Sequence, residues 1–310
     1  MNFSQHFCTN EDEYYRLRNF LRDIFLLNGR LEHSWHVARL DYWRWHFIDN
    51  CRFCESVEKG TALWEAEDGQ IAGVVNALSR DEIRLHVHPK YRTPALEDEM
   101  LAYADEHFFD LTQSGRPYHY LPIFRDDSQR QETALRRGYK KVEGFGHHWR
   151  RDPDTPIPET PLAPGYTIRS MGGADEHPAR SWASWRAFHP DEGDENYDGD
   201  WSWYQHLQSM PLYRRDLDIV AIAPQGEIAA FATIVYDDYT RSAVCVLVGT
   251  AAEHWRRGLG KAVLFEGMRR LQKLGCTRVF ATANEPPADA LYRSVMQTML
   301  VTDTWLKISD

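Results

Sequence analysis

One stretch constrains the chain more than any other: Val244-Cys245-Val246-Leu247-Val248-Gly249-Thr250, followed by Glu253-His254-Trp255-Arg256-Arg257-Gly258-Leu259-Gly260-Lys261-Ala262-Val263-Leu264. A short valine-rich run flanked by polar residues predicts a buried strand rather than a helix. Leu264, Met268, Leu271 and Leu274 then recur at three- and four-residue spacing, with Arg269, Arg270 and Lys273 between them. That periodicity predicts an amphipathic helix ending at Gly275. A helix N-terminus offers unpaired backbone N–H groups and partial positive charge, and glycines there let an anion come close. With Arg256, Arg257 and Lys261 alongside, the turn is expected to take a phosphate-bearing ligand. It is neither a Gly-x-Gly-x-x-Gly fingerprint nor a triphosphate-binding Gly-Lys loop.

At 310 residues the chain exceeds the usual size of one domain. The boundary is sought at Arg151–Gly165, where five prolines fall within twelve residues and apolar periodicity vanishes. This composition predicts an extended, semi-rigid linker, dividing the chain into a domain over 1–150, a linker over 151–164 and a domain over 165–310. A formal charge of −10 argues against nucleic acid as a partner. The chain has no apolar run of membrane-spanning length and starts without a secretory signal, so a cytoplasmic protein with no membrane partner is expected. Five cysteines suit a reducing compartment. Cys51-Arg52-Phe53-Cys54 lacks a second pair at zinc-ribbon spacing, and His86-Val87-His88 and His147-His148 lack companions at ligand spacing, so no metal is expected.

The halves repeat one another. Trp64–Val75 and Val220–Phe231 both read as strand, glycine-containing turn, strand, with Gly69 and Gly226 lying 157 positions apart. Ile83–Arg92 parallels the strand and loop at 244–257, and Leu96 precedes its counterpart Leu259 by 163 positions.

The stretch at 244–264 resembles the acyl-CoA pyrophosphate loop of the GNAT family of N-acetyltransferases, with Gly258 and Gly260 on its glycines and Trp255 where Gln or Arg is usual. Arg278–Asn284 followed by Pro286-Pro287-Ala288-Asp289-Ala290-Leu291-Tyr292 is similar to the family's Asn-x-x-Ala-x-x-Leu-Tyr segment, although Asn284 stands one residue too far from Ala288 and the family's following Gly-Phe is Met296-Gln297. The resemblance implies an α/β (α+β) fold of two tandem GNAT-like domains, each a mixed, mainly antiparallel sheet flanked by helices. It is an architecture similar to that of mycothiol synthase-like proteins. In the first copy the glycine positions fall on Ala95 and Glu97, and the tyrosine position on Ala134. Carboxylates there repel a pyrophosphate, so the first copy is read as degenerate and the second as catalytic.

What the resemblance implies for function is transfer of acetyl from acetyl-CoA to the amine of a small molecule by direct attack on the thioester, without metal. Tyr292 is the implied proton donor. The implied cofactor-binding residues are Val246, Leu247, Val248, Arg256, Arg257, Gly258, Leu259, Gly260, Lys261, Ala262 and Asn284. Candidate bases are Asp237, Asp238, Tyr239 and His254. Trp182, Trp185, Trp201, Trp203 and Tyr204, set among Asp191, Glu192, Asp194, Glu195, Asp198 and Asp200, suit a cationic or amphipathic acceptor; two helices joined by a solvated acidic loop explain the same residues. The chain is expected to act as a monomer or homodimer. A non-catalytic acyl-CoA sensor and a peptide N-acetyltransferase are the alternatives.

Overall fold

The computed structural model describes residues 2–152 and 155–309. Pro153 and Asp154, in the expected linker, lie outside the described residues. The chain divides into two compact units, 1–148 with 300–310, and 149–299.

The first unit contains β1 (Phe3–Phe7), α1 (Glu11–Leu27), α2 (Val37–Tyr42), β2 (Thr61–Ala66), β3 (Ile71–Ala77), β4 (Ile83–Val87), α3 (Pro94–His107), β5 (Asp110–Leu111), β6 (Pro117–Phe124), α4 (Ser128–Arg136) and most of β7 (Lys140–Arg151). Strands β1-β2-β3-β4 form an antiparallel sheet in that order. Helix α1 starts at Asn10, whose side chain accepts from the Glu13 N–H, and acidic Glu11, Asp12 and Glu13 occupy its first turn, both favourable to a helix N-terminus. Its Leu17, Leu21 and Ile24 pack on Leu63 and Val74 of one sheet face. Met100, Leu101 and Ala104 of α3 cover Ala72, Val75 and Leu85 of the other.

The second unit contains β8 (Thr167–Ser170), α5 (His177–Phe188), α6 (Ser202–Gln208), β9 (Asp218–Ile222), β10 (Ile228–Asp237), β11 (Ser242–Thr250), α7 (Leu259–Lys273), β12 (Arg278–Ala283) and α8 (Pro286–Arg293). Its strand order is β12-β11-β10-β9-β8, with only the β11/β12 pair parallel. Leu264, Phe265, Met268 and Leu271 of α7 bury against Ile219, Ala232 and Ile234, and Gly275 follows the helix at φ +73°, the left-handed ending that favours glycine. The repeat is visible in the elements: β2-β3-β4-α3 corresponds to β9-β10-β11-α7, and both hairpins turn through a glycine at positive φ, Gly69 at +78° and Gly226 at +101°.

Two features differ from the expected division at 151–164 and 165–310. Residues 155–163 have no regular secondary structure, yet they are pinned rather than loose. The Arg151 guanidinium donates to the carbonyls of Thr155 (3.2 Å), Pro156 (3.0 Å) and Val295 (2.7 Å), and Ile157, Leu162 and Ala163 pack on the core of the second unit. The last strand, β13 (Thr298–Ile308), pairs antiparallel with β6 from Thr302 to Ile308, so from Leu300 onward the chain belongs to the first unit.

Helix α7 lies close on the sheet because Gly267 has no side chain: a Cβ there would stand 2.3 Å from Ile234 Cδ1. Overpacking of this kind typically costs about 1–3 kcal/mol. Gly267→Val should lower the urea midpoint of the second unit accordingly, as read by tryptophan fluorescence, whereas an unchanged midpoint would show that Ile234 yields freely.

Candidate functional site

Strand β11 is the wall of the site. Its ladder with β10 slips between Thr233, opposite Leu247, and Ile234, opposite Cys245, which leaves Val246 as the extra residue of a β-bulge. A bulge bends the strand and increases its twist. On its other edge β11 pairs with β12 at three positions, Ser242 with Arg278, Ala243 with Val279 and Val244 with Phe280. Beyond these the register stops although both strands continue, to Thr250 and Ala283. Two parallel strands that diverge present backbone edges between which an extended ligand can bond as a strand would. Val246 and Val248 are half-buried beside this opening, with Leu247 buried.

At the end of β11 the chain makes a short turn at Ala252–His254 and then enters α7. Arg256 at φ +61° and Gly258 at φ +74° both occupy the left-handed region. Gly258 is the N-cap residue and contributes no side chain, so the first-turn N–H groups of Leu259, Gly260 and Lys261 receive no side-chain cap from it. Arg256, Arg257 and Gly258 are exposed, whereas Leu259 and Ala262 bury their side chains and offer the site only backbone. Lys261 Nζ lies 5.4 Å over the Phe265 ring and the Arg257 guanidinium 5.8 Å over Tyr166. Gly260 holds the helix start against its neighbours: a Cβ would lie 3.3 Å from Thr250 Oγ1 and 3.4 Å from Leu291 Cδ2. Trp255, the departure from the family pattern, donates its indole N–H to the Thr250 carbonyl at 2.8 Å and is 48% exposed. The indole therefore braces the loop where Gln or Arg is usual.

Helix α8 brings Tyr292 to the same end of the unit, one residue from Leu291. Tyr292 is 6% exposed. The helix is fixed through Asp289, which accepts from Trp149 Nε1 (2.9 Å) and Arg293 (2.8 Å). Asn284 is exposed between β12 and α8, and no described contact ties it to the α7 start.

The candidate bases are placed as follows. Asp237 is fully buried and its Oδ2 accepts from Thr240 N–H (3.1 Å) and Oγ1 (2.7 Å), so it shapes the β10–β11 turn. That turn, with Asp238 and Tyr239, lies at the start of β11, roughly 13 Å of strand from the bulge at Val246. His254 is anchored at both ring nitrogens, Nδ1 2.9 Å from the Tyr166 hydroxyl and Nε2 3.5 Å from the Glu227 carboxylate.

Other residues of the second unit pack around β10 and β11, among them Ala187, Arg180 and Asp218, for which the sequence carries no local signal. Ala187 of α5 presses on Gly249, whose Cβ would meet Ala187 Cβ at 2.8 Å and Phe231 Cζ at 2.4 Å. The fully buried Arg180 places its guanidinium 3.5 Å over the Phe231 ring. Buried Asp218 accepts from Tyr204 (2.5 Å), Tyr213 (3.0 Å) and Thr233 (2.9 Å), and burial together with this carboxylate pushes both phenols far above their ordinary pKa. Trp182 and Trp185 each pack on Tyr197, while the acidic residues of 191–200 are exposed. Aromatic packing and a solvated acidic loop thus coexist.

In the first unit the corresponding opening is filled from within. Beyond the isolated parallel bridge of Glu82 with Tyr120, Arg130 enters: Nη1 donates to the Leu85 carbonyl (3.3 Å) and Nη2 to Glu97 Oε1 (2.7 Å). Arg92 joins Glu97 (3.0 Å) to Asp127 (2.5 Å). The start of α3 is capped by Thr93 Oγ1, which accepts from the Leu96 N–H at 3.2 Å, and Pro94 has no N–H to offer. A buried carboxylate and two matched guanidiniums thus stand at the place that corresponds to the uncapped α7 start in the other unit.

No curated protein matches the chain by sequence. Residues 179–296 match the acetyltransferase (GNAT) family, so the chain carries a GNAT acetyltransferase domain there, of a family that transfers acyl groups from acyl-CoA. Among solved structures, the GCN5-related N-acetyltransferase from Sphaerobacter thermophilus is similar with a TM-score of 0.67 and 16% identity, over 99% of this chain and 95% of that one. A tandem GNAT protein from the clavulanic acid biosynthesis pathway gives 0.63 and 13%, over 100% and 99%. A GNAT-family acetyltransferase from Colwellia psychrerythraea gives 0.62 and 11%, over 99% and 100%. The fold is therefore that of a tandem GNAT protein. No helix among the described residues is long and apolar enough to cross a membrane, and these residues hold no group of three or more side chains suited to a metal.

Burial alone would raise the Glu97 pKa, but Arg130 and Arg92 outweigh it and hold the carboxyl below its ordinary range. A carboxyl depressed in the folded state contributes its full stabilisation above its unfolded pKa of about 4.3 and loses it as pH falls through the folded value. Glu97→Gln should therefore be less stable than the wild type at neutral pH, with the difference shrinking below about pH 4 as the wild-type carboxyl protonates. Urea unfolding across pH 3–7 checks this; a difference independent of pH would mean that the carboxylate charge is irrelevant.

Proposed function

We propose that the second unit is an acyl-CoA-dependent N-acyltransferase that moves acetyl from acetyl-CoA to the amine of a small molecule. The observation that carries this reading is the end of the β11/β12 ladder at Val244 and Phe280, directly upstream of a glycine-started helix flanked by Arg256 and Arg257. Backbone of Val246, Leu247 and Val248 would pair with the pantetheine amides. The N–H groups of Leu259, Gly260 and Lys261 would receive the pyrophosphate, with Arg256, Arg257 and Lys261 supplying mobile charge.

Side-by-side binding of thioester and amine converts an encounter of two molecules into a reaction within one complex, an advantage of roughly 7–11 kcal/mol in well-oriented cases. The neutral amine attacks the thioester carbonyl, forming the C–N bond, and a β11 backbone N–H stabilises the developing oxyanion. Collapse breaks the C–S bond; the departing thiolate takes the Tyr292 phenolic proton, and the amine's surplus proton passes into water, from which the Tyr292 phenolate is reprotonated. The anchoring of His254 and the turn location of Asp237 favour this water route over a side-chain base. The exposed carboxylates at 191–200 and the aromatics Trp182, Trp185 and Tyr197 favour a cationic acceptor.

Two variants test the assignment. Tyr292→Phe should bind acetyl-CoA as the wild type does, by calorimetry, while thiol release with an amine panel slows about 10²–10⁴-fold. Gly258→Val places a β-branched side chain at a left-handed position and should weaken acetyl-CoA binding at least about tenfold. Tight acetyl-CoA binding with no thiol release for any amine would sink the enzyme reading in favour of a binding-only sensor.

A further inference from the structure

We propose that Arg186 is a positioning residue coupling the two substrate sides of the second unit, so that acyl-CoA binding orders the acidic acceptor segment 189–198. This rests on the acyl-CoA site assigned above. Arg186 lies on α5, and its side chain is 12% exposed. Its Nε donates to Glu253 Oε1 at 2.6 Å, its Nη1 donates to the Glu192 carbonyl at 3.1 Å, and the Asp194 carboxylate stands 3.5 Å from Nη1. One planar guanidinium thereby joins three pieces of chain: the helix that carries it, the acidic segment, and the turn immediately before Trp255.

The geometry allows those pieces to act together. Glu253 precedes the two left-handed residues Arg256 and Gly258, whose conformation a bound pyrophosphate would hold. On the α5 side, Ala187 already abuts the Cβ position of Gly249 at 2.8 Å, so the helix follows β11. The acidic segment packs chiefly on α5 itself, with His189 stacked on Trp185 at 3.8 Å and Tyr197 against Trp182 at 5.2 Å. Its six carboxylates between Asp191 and Asp200 repel one another, and Arg186 places a cation beside one of them, Asp194. Arg presents a rigid fork of donors and can serve several acceptors at once, which the point charge of Lys cannot do equally. The consequence is an order of events in which acyl-CoA fixes the loop, the loop fixes Glu253, and Arg186 passes that restraint to the segment covering the acceptor.

Hydrogen exchange with acetyl-CoA as the probe tests this. In the wild type, saturating acetyl-CoA should slow exchange at both 255–262 and 189–198. In Glu253→Gln, altered at an exposed carboxylate and so expected to fold, and in Arg186→Met, protection at 255–262 should persist while that at 189–198 falls about two- to fivefold, the scale of one partly exposed ion pair. Arg186→Lys should restore part of it. Equal protection of 189–198 in wild type and variants, or protection confined to 255–262 in the wild type, would overturn the coupling. Absence of protection at both segments in the wild type, with no acetyl-CoA binding by calorimetry, would instead overturn the acyl-CoA site.

Discussion

The second unit depends on the point at which two parallel strands part. In a sheet every backbone N–H and C=O seeks a partner, and β11 satisfies one edge against β10 for its whole length. On the other edge the ladder with β12 lasts three residue pairs and ends at Val244 and Phe280. The bulge at Val246 lies just past that point, adding twist where the strands separate. Everything nearby accommodates the divergence: α7 starts directly after the open segment, Gly260 lets it sit against Thr250 and Leu291, and Gly267 lets it settle on Ile234.

The first unit shows what the same architecture becomes when the opening is closed by the chain itself. Arg130 supplies donors to the Leu85 carbonyl, and Glu97 and Asp127 balance Arg130 and Arg92. Such buried ion networks add little net stability, because desolvation offsets attraction, yet breaking one partner leaves an expensive unpaired charge. The network therefore acts as a lock: once assembled, it resists piecemeal removal. The two units share element order and hairpin glycines but differ at the helix start, where the first unit carries the buried carboxylate of Glu97 and the second the glycines Gly258 and Gly260.

Much of this was legible in the sequence because it is written locally. The valine run became β11, the leucine periodicity became α7, and Gly69 and Gly226 sit in the two equivalent hairpins. The carboxylate at Glu97 flagged the altered first copy, though not that Arg130 would reach it from 33 positions away. What escaped was long-range. That the strand at 298–308 would pair with β6 depends on a partner about 180 positions away and is not written in its own residues. Arg186 and Glu253 are 67 positions apart, and nothing in the loop stretch that contains Glu253 points to Arg186. His254 and Asp237 were plausible bases by type, but that they would meet Tyr166, Glu227 and Thr240 was not readable, because partner choice is not encoded in residue type. Trp255 looked like a defect in the loop until its N–H was seen to hold the Thr250 carbonyl.

Gly249 has a consequence for how such a protein can change. It is the point where α5 rests on β11, with Ala187 on one side and the Phe231 ring on the other, and Arg180 stacked on that ring. Not even a methyl group fits there without moving helix or ring. Any side chain at position 249 is thus excluded by the contact between α5 and β11, whereas Asp191, Glu195 and Asp198 are exposed. A single hydrogen atom in place of a side chain sets how closely α5 can lie on the strand.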